Sequence, residues 1–151
     1  MKVGAVGCSV RIKGRQTVFD IQEAGTCALF ASAPECLISL DGACWTNNFI
    51  GGSADFNATH GSTVSNCRFE LLNGAEYVAT TDFNVGSLVY AAQTNVVYVG
   101  SGSVLSASSI RLASVGNEFV VSNGTVRIAD GAGFANLSNL VVKAGAKLIV
   151  E

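Results

Sequence analysis

Apolar and polar residues alternate in short runs along most of the chain, and the runs are separated by Gly, Asn, Ser and Asp. Alternation with a period of two is typical of β-strands, whereas the spacing of three and four residues that marks an amphipathic helix is not sustained anywhere. The Asn-Gly pairs at 73–74 and 123–124 supply positions of positive φ where the chain can bend sharply. The pattern therefore predicts an all-β chain of short strands with little helix.

The second half of the chain repeats with a period of about 22 residues, a length typical of solenoid repeats. NVVYVGSGSVLS (95–106) aligns with NEFVVSNGTVRI (117–128), and NLVVKAGAKLIV (139–150) follows at nearly the same offset. The alignment predicts three columns of stacked side chains: Val97, Phe119 and Leu140 in the first; Val104, Val126 and Leu148 in the second; Leu88, Tyr90, Ile110, Leu112 and Phe134 in the third. Each period thus holds three short strands.

Such a unit cannot bury its apolar face alone, so its copies are expected to stack, each strand pairing in parallel with its equivalents about 4.8 Å away. About six coils would form a rod roughly 30 Å long. GSTVSNCRFELLNG (61–74) resembles a coil of the pectin-lyase-like right-handed parallel β-helix. NGTVRIADGAG and NLVVKAGAKLIV resemble repeats of autotransporter passengers and related bacterial surface proteins. An antiparallel sandwich is the alternative fold, but it does not explain the constant period.

The domain organisation follows the regularity of the repeat. We expect one β-helix domain over 1–151, with a candidate N-terminal cap at 1–16, irregular coils at 17–60 and regular coils at 61–151. Within the irregular part, TVFDIQ and LISLDG match at nearly the same offset as the later repeats. The match predicts that Phe19 lies over Leu40 and that Asp20 lies over Asp41.

Composition and charge narrow the classes of function. Charged residues make up 13% of the 151 residues and apolar residues 49%, yet no apolar run approaches the roughly 18 residues of a membrane helix. The net charge of −2 without a basic run argues against nucleic acid and against an anionic membrane. The five cysteines lack a CxxC pair, which argues against zinc, and we predict no cofactor. They are interpreted as buried reduced thiols, with one disulfide as the alternative and Cys36–Cys44 as its candidate pair.

The resemblance to polysaccharide-cleaving β-helix enzymes implies carboxylates on one outer face, and inverting hydrolysis needs two of them about 6.5–9.5 Å apart. Asp20 and Asp41 alone fit the coil spacing and are weak catalytic candidates; a solvated strand end is the competing interpretation. His60 is interpreted as an exposed loop residue. Trp45 is interpreted as packing against a turn, with a sugar-stacking platform as the alternative.

This poor inventory of chemistry favours a non-enzymatic structural or adhesive module of a bacterial or phage surface protein. It would be extracellular or at the cell surface, with its export signal outside this stretch, and it would contact carbohydrate or a surface protein. The last strand, formed by Lys147, Leu148, Ile149 and Val150, is expected to pair with a flanking coil, with another copy of the chain, or with a local cap. A self-stacking filament subunit and a polysaccharide lyase or hydrolase are the alternative functions.

Overall fold

The structure is a computed structural model, and it describes residues 2–3, 6–15, 17–21, 30–31, 34–47, 54–56, 65–80, 82–85, 94–112, 116–129, 134–135 and 139–151. These residues form 18 strands and no α-helix. The strands are β1 Lys2–Val3, β2 Ser9–Lys13, β3 Val18–Ile21, β4 Phe30–Ala31, β5 Leu37–Asp41, β6 Cys44–Asn47, β7 Ala54–Phe56, β8 Arg68–Leu72, β9 Glu76–Ala79, β10 Phe83–Val85, β11 Val96–Val99, β12 Val104–Ala107, β13 Ile110–Leu112, β14 Glu118–Val121, β15 Thr125–Ile128, β16 Phe134–Ala135, β17 Leu140–Val142 and β18 Lys147–Val150.

The strands form three main sheets, and every described strand pair is parallel. The first sheet has the order β2-β5-β8-β11-β14-β17, the second β3-β6-β9-β12-β15-β18 and the third β7-β10-β13-β16, while β1 pairs with β4 alone. Each strand of the main sheets therefore pairs with the strand three positions later in the chain. The prediction of an all-β chain with parallel strands is confirmed, and the antiparallel alternative is wrong for the described residues.

The predicted first column matches the register of the first sheet. Val97 pairs with Phe119, and Phe119 pairs with Leu140. The period of the repeat holds for these last strands only, because the intervals from Ile38 to its partner Phe69 and from Phe69 to its partner Val97 are longer. The earlier strands are joined by longer connections.

The predicted second column is wrong by one residue at its first member. Val126 pairs with Leu148 as predicted, but its other partner is Leu105 and not Val104. The reason is the turn before the strand, which spans 100–103 in the first case and only 122–124 in the second. Because side chains alternate between the two faces of a strand, this extra residue turns Leu105 into the core and Val104 away from it.

The third column needs a similar correction. Ile110 pairs with Phe134 as predicted, but on its other side Ile110 pairs with Phe83, and Leu112 pairs with Val85. These residues of β10 take the place that was predicted for Leu88 and Tyr90, which lie outside the described residues. The connection that follows β10 is therefore longer than the repeat suggested.

The predicted stacking of Phe19 over Leu40 is also wrong. Phe19 belongs to the second sheet and pairs with Trp45, whereas Leu40 belongs to the first sheet and pairs with Ile12. Residues 1–16, predicted as a candidate cap, contain β2, which is the edge strand of the first sheet. The two matched segments share an alternating pattern but lie in different sheets.

One core lies between the three main sheets. Phe69 of β8, Tyr77 of β9 and Phe83 of β10 come from different sheets, and their ring centroids are 5.3–5.9 Å apart. Such ring pairs add about 0.5–1.5 kcal/mol each beyond the area that they bury. The other buried apolar side chains on the first sheet's inner face are Ile38, Leu40, Leu71, Val97, Val99, Phe119 and Val121. Successive strands thus stack apolar side chains into a continuous interior.

The turns between the first and second sheets use the residues that the sequence indicated. Asn73 and Asn123 have φ values of 54° and 55°, and Gly74 has a φ of 78°. Asn tolerates the left-handed region better than most side chains, and Gly adopts it without strain. The Asn73-Gly74 pair therefore has positive φ at both residues as predicted, whereas in the second pair only Asn123 does and Gly124 does not.

Candidate functional site

The strand β18 is the edge that the sequence predicted, and β17 is the corresponding edge of the first sheet. They are the last strands in the orders of the first and second sheets. Val142 and Val150 are 50% exposed and Leu148 is 40% exposed, although their register partners Val121, Val126 and Ile128 are buried. The outer apolar side chains of this edge continue the core columns but lack the cover that the inner ones have. Within the described part of the chain, three of the four exposed large apolar side chains lie on this edge, and the fourth is Val6.

A ladder of asparagine side chains runs along the corner before the first sheet. The residues Asn95, Asn117 and Asn139 each come directly before a strand of that sheet, at intervals of 22 residues. Asn117 Oδ1 accepts hydrogen bonds from the Asn95 backbone N–H at 3.0 Å and from Asn95 Nδ2 at 3.1 Å. Asn139 Nδ2 donates to the Asn117 carbonyl at 2.8 Å. The ladder joins neighbouring strands through a buried corner, where unpaired amides would be costly.

Cysteines occupy the same corner in the earlier strands. Cys8, Cys36 and Cys67 come directly before β2, β5 and β8, and the Cys67 N–H donates to Asn95 Oδ1 at 3.0 Å, which joins the two series. The described cysteines are unbonded in this structure, and Cys36 and Cys67 are buried, as the sequence predicted for the cysteine side chains. The candidate pair Cys36–Cys44 is not bonded, because Cys44 begins β6 in the second sheet.

Asp20 and Asp41 are not brought together as the sequence analysis expected. Asp20 pairs with Thr46 in the second sheet, and Asp41 pairs with Lys13 and Leu72 in the first sheet. The Asp41 carboxylate accepts a hydrogen bond from Asn73 Nδ2 at 2.8 Å and lies 3.7 Å from Lys13 Nζ. These contacts are typical of a polar strand end. The stacked arrangement on which a catalytic role for the two residues depended is therefore absent.

The outer face of the first sheet carries a charged and aromatic cluster. Arg68 Nε forms an ion pair with Glu70, and the Arg68 guanidinium lies 5.4 Å from the centre of the Tyr98 ring. Glu70 and Tyr98 are register partners on neighbouring strands. We call Arg68, Glu70 and Tyr98 the outer-face cluster. It combines an aromatic ring with groups that donate and accept hydrogen bonds.

Two other sequence candidates have simple outcomes. Trp45 is only 2% exposed, so it packs in the core and offers no platform to a sugar at the surface. His60 lies outside the described residues. An open depression of about 330 Å³ lies beside the ends of β12 and β15, and its wall includes the ion pair of Arg127 and Glu151. Among the described residues that line it, Glu151 is the single carboxylate.

The described ranges contain neither a cluster of metal-ligating side chains nor a helix of membrane-spanning length. These residues contain no group of three or more His, Cys, Asp or Glu side chains that could hold a metal ion. They also contain no helix long and apolar enough to cross a membrane.

Comparisons with known proteins return no relative. No protein-family model, no curated protein and no solved structure gives a significant match to the chain.

The edge at 147–150 was predicted from the sequence, whereas the asparagine ladder and the cysteines in line with it were not. Both had a signal. Asn95, Asn117 and Asn139 begin the three aligned repeats. Each of Cys8, Cys36 and Cys67 is followed by apolar residues two and four positions later, as in CSVRI, CLISL and CRFEL.

Proposed function

We propose that the chain is part of a right-handed parallel β-helix that serves as a structural and adhesive rod in a bacterial or phage surface protein. The observation that carries the proposal is the strand order, in which each strand of the three main sheets pairs with the strand three positions later. Three strands would then make one coil, and the first and second sheets would each pass through six coils. Parallel strands joined by crossover connections are right-handed in nearly all proteins, which is why that hand is proposed.

The coils would differ in length along the rod. The interval between register partners in the first sheet is longer before Val97, as from Ile38 to Phe69, than after it, as from Val97 to Phe119 and on to Leu140. At about 4.8 Å per coil, six coils would extend roughly 24–29 Å. Stacked apolar columns and the asparagine ladder would make such a rod stiff, since a local opening would have to expose both.

An adhesive role is supported by the outer surface. The outer-face cluster offers an aromatic ring beside a cation and a carboxylate, a combination that suits the apolar face and the hydroxyl groups of a sugar. Side chains at neighbouring coils are also linked by hydrogen bonds, for example Asn123 Nδ2 to Ser101 Oγ at 3.0 Å. A ligand would therefore meet a surface that is already ordered.

A glycan array with the purified chain tests the adhesive role. We expect binding to at least one polysaccharide, and a loss of about tenfold or more when Tyr98 is replaced by Ala. Arg127→Ala, on the outer face of the second sheet, is the matched control and should bind as the wild type does. Failure to bind any glycan or surface extract would remove the adhesive role and leave that of a spacer, while release of new reducing ends would favour a polysaccharide-cleaving enzyme.

A self-stacking filament subunit is the second candidate function. It is favoured by the exposure of Val142, Leu148 and Val150 along the edge of β17 and β18, because an open strand edge over apolar side chains is a template for another strand. Head-to-tail contacts of this kind do not close and would give filaments.

Light scattering over a wide range of concentration tests the second candidate. We expect scattering to rise with concentration for the wild type and to be suppressed by Leu148→Lys. Lys143→Gln, which lies outside the apolar columns, is the control and should scatter like the wild type. A strictly monomeric wild-type chain would exclude self-stacking and leave the flanking-coil interpretation of this edge.

A further inference from the structure

The residues Cys8, Cys36 and Cys67 form a column at one corner of the first sheet. The Leu37 N–H donates to the Cys8 carbonyl at 2.9 Å, and the Arg68 N–H donates to the Cys36 carbonyl at 2.8 Å. These bonds continue the parallel pairing of β2, β5 and β8 into the residues before the strands. The three cysteines therefore occupy equivalent positions on neighbouring strands.

Two of these thiols are oriented alike. Cys36 Sγ donates to the Pro34 carbonyl and Cys67 Sγ donates to the Ser65 carbonyl, each at 3.7 Å and each two residues back along the chain. Neighbouring parallel strands lie about 4.8 Å apart, and disulfides join Cα atoms that are about 4.4–6.8 Å apart. The two positions therefore meet the distance requirement for a covalent bond between strands.

The pKa of the Cys67 thiol depends on burial and on Cys36. Burial is the main cause that raises this pKa to about 11; a backbone hydrogen bond with Cys36 lowers it, whereas the charge of Cys36 and a side-chain hydrogen bond with Cys36 raise it. Cys44, by comparison, belongs to the second sheet.

We propose that Cys36 and Cys67 are a redox pair that forms a disulfide between neighbouring strands when the chain folds in the presence of a small-molecule disulfide such as oxidised glutathione. A thiolate of one cysteine attacks the reagent and releases one reduced thiol. The second cysteine then attacks the mixed disulfide and releases the other. Two S–H bonds are lost, one S–S bond forms in the protein, and the reagent accepts the two electrons and the two protons.

The fold determines when this reaction is fast. Both thiols are buried, and a pKa of about 11 leaves only about one Cys67 thiol in a thousand ionised at pH 8. Since the thiolate is the nucleophile, the folded reduced chain should react slowly. The bond should form during folding, before the corner closes, and should then be protected from reduction.

Refolding with mapping of the disulfide tests the proposal on the wild-type chain. The reduced and unfolded protein is refolded with oxidised glutathione at pH 8, free thiols are alkylated, and the product is digested with chymotrypsin, which cleaves after Trp45 and Phe56. We expect a linked pair of peptides that contain Cys36 and Cys67 and that separate on reduction. The same bond should form at least about a hundredfold more slowly when the folded reduced protein is the starting material.

Two variants serve as matched controls. Cys44→Ala should keep the linked peptides, and Cys67→Ala should lose them without linking Cys36 to another cysteine. A wild-type bond between Cys36 and either Cys8 or Cys44 would overturn the proposal. So would alkylation of all five cysteines after refolding with oxidised glutathione. Cys36 and Cys44 share the peptide that ends at Trp45, so fragmentation of the linked wild-type peptides assigns the bond to Cys36 or to Cys44, and this result does not depend on whether a variant folds.

Discussion

Replacing Asn117 by Ala should be among the most destabilising changes outside the apolar core. The Asn117 side chain is fully buried and accepts two hydrogen bonds from Asn95, one from its backbone N–H and one from Nδ2. Its own Nδ2 donates to the Val85 carbonyl of the third sheet at 3.4 Å. Loss of this one amide therefore affects groups in both the first and third sheets.

The magnitude follows from the groups that lose a partner. A buried donor or acceptor left without its hydrogen bond costs about 1–3 kcal/mol. Two donors on Asn95 lose their Asn117 acceptor, so we expect Asn117→Ala to lower the free energy of unfolding by about 3 kcal/mol. Asn139→Ala is the matched control. Asn139 is half-buried, and within the ladder its side chain makes a single hydrogen bond, which it donates to the Asn117 carbonyl. That control should cost about 1 kcal/mol.

Urea denaturation followed by circular dichroism measures both variants. The expected signature is a large fall in the midpoint for Asn117→Ala and a small one for Asn139→Ala, with slopes close to that of the wild type. Equal effects in the two variants, or a loss below about 0.5 kcal/mol for Asn117→Ala, would refute the reasoning that the buried ladder holds neighbouring strands together.

Three further predictions concern single groups. Ser103→Ala should be neutral or stabilise by up to about 1 kcal/mol in thermal melts, because the buried Ser103 Oγ lacks a hydrogen-bond partner, and a clear loss would contradict this. Gly124→Ala should cost about 1–3 kcal/mol, since its Cβ would lie 2.8 Å from the carbonyl oxygens of Val99 and Gly100. An unchanged denaturant midpoint would be inconsistent with this packing. The pKa of the Cys67 thiol is raised from 9.0 to about 11, so the stabilisation that comes from keeping this thiol protonated is complete below pH 9 and is lost as the pH rises to 11. Over that range the free energy of unfolding of the wild type should fall by about 1–3 kcal/mol more than that of Cys67→Ala, and parallel stability curves for the two proteins would contradict this.

The pairing of the later strands could be predicted because the connections there have almost constant length. Val97, Phe119 and Leu140 follow one another at nearly equal intervals, so one alignment found their register. Val104 and Leu105 are both apolar, and the alternating pattern could not decide which of them faces the core. The answer depended on one extra residue in the preceding turn, and turn length is not recorded in apolar alternation.

The pairing of the earlier strands could not be predicted, because strands of different sheets have the same local pattern of alternating apolar and polar residues. Phe19 and Leu40 each lie in an alternating segment, yet they belong to different sheets. Which segments pair is determined by the tertiary fold and by connections of unequal length, and neither is visible in a local comparison. The predicted stacking of Asp20 over Asp41 failed for the same reason.

The apolar edge at 147–150 could be predicted because it lies in the regular part of the repeat. Leu148 and Val150 belong to a pattern with a regular period, and their exposure follows from their place at the end of two columns. The cysteine column was not predicted, because the cysteines were considered only for CxxC spacing and for disulfide pairs. Its signal is that three of them each begin a C-x-apolar-x-apolar segment.

The central claim is that successive strands of one sheet run in parallel with the described register, and cross-strand nuclear Overhauser effects test it most directly. With β11 labelled, contacts from Val96 to Val99 should reach residues 68–71 on one side and 118–121 on the other, with the numbers rising together along all three strands. Contacts whose numbers fall on one strand as they rise on the next would show antiparallel pairing and would contradict the account.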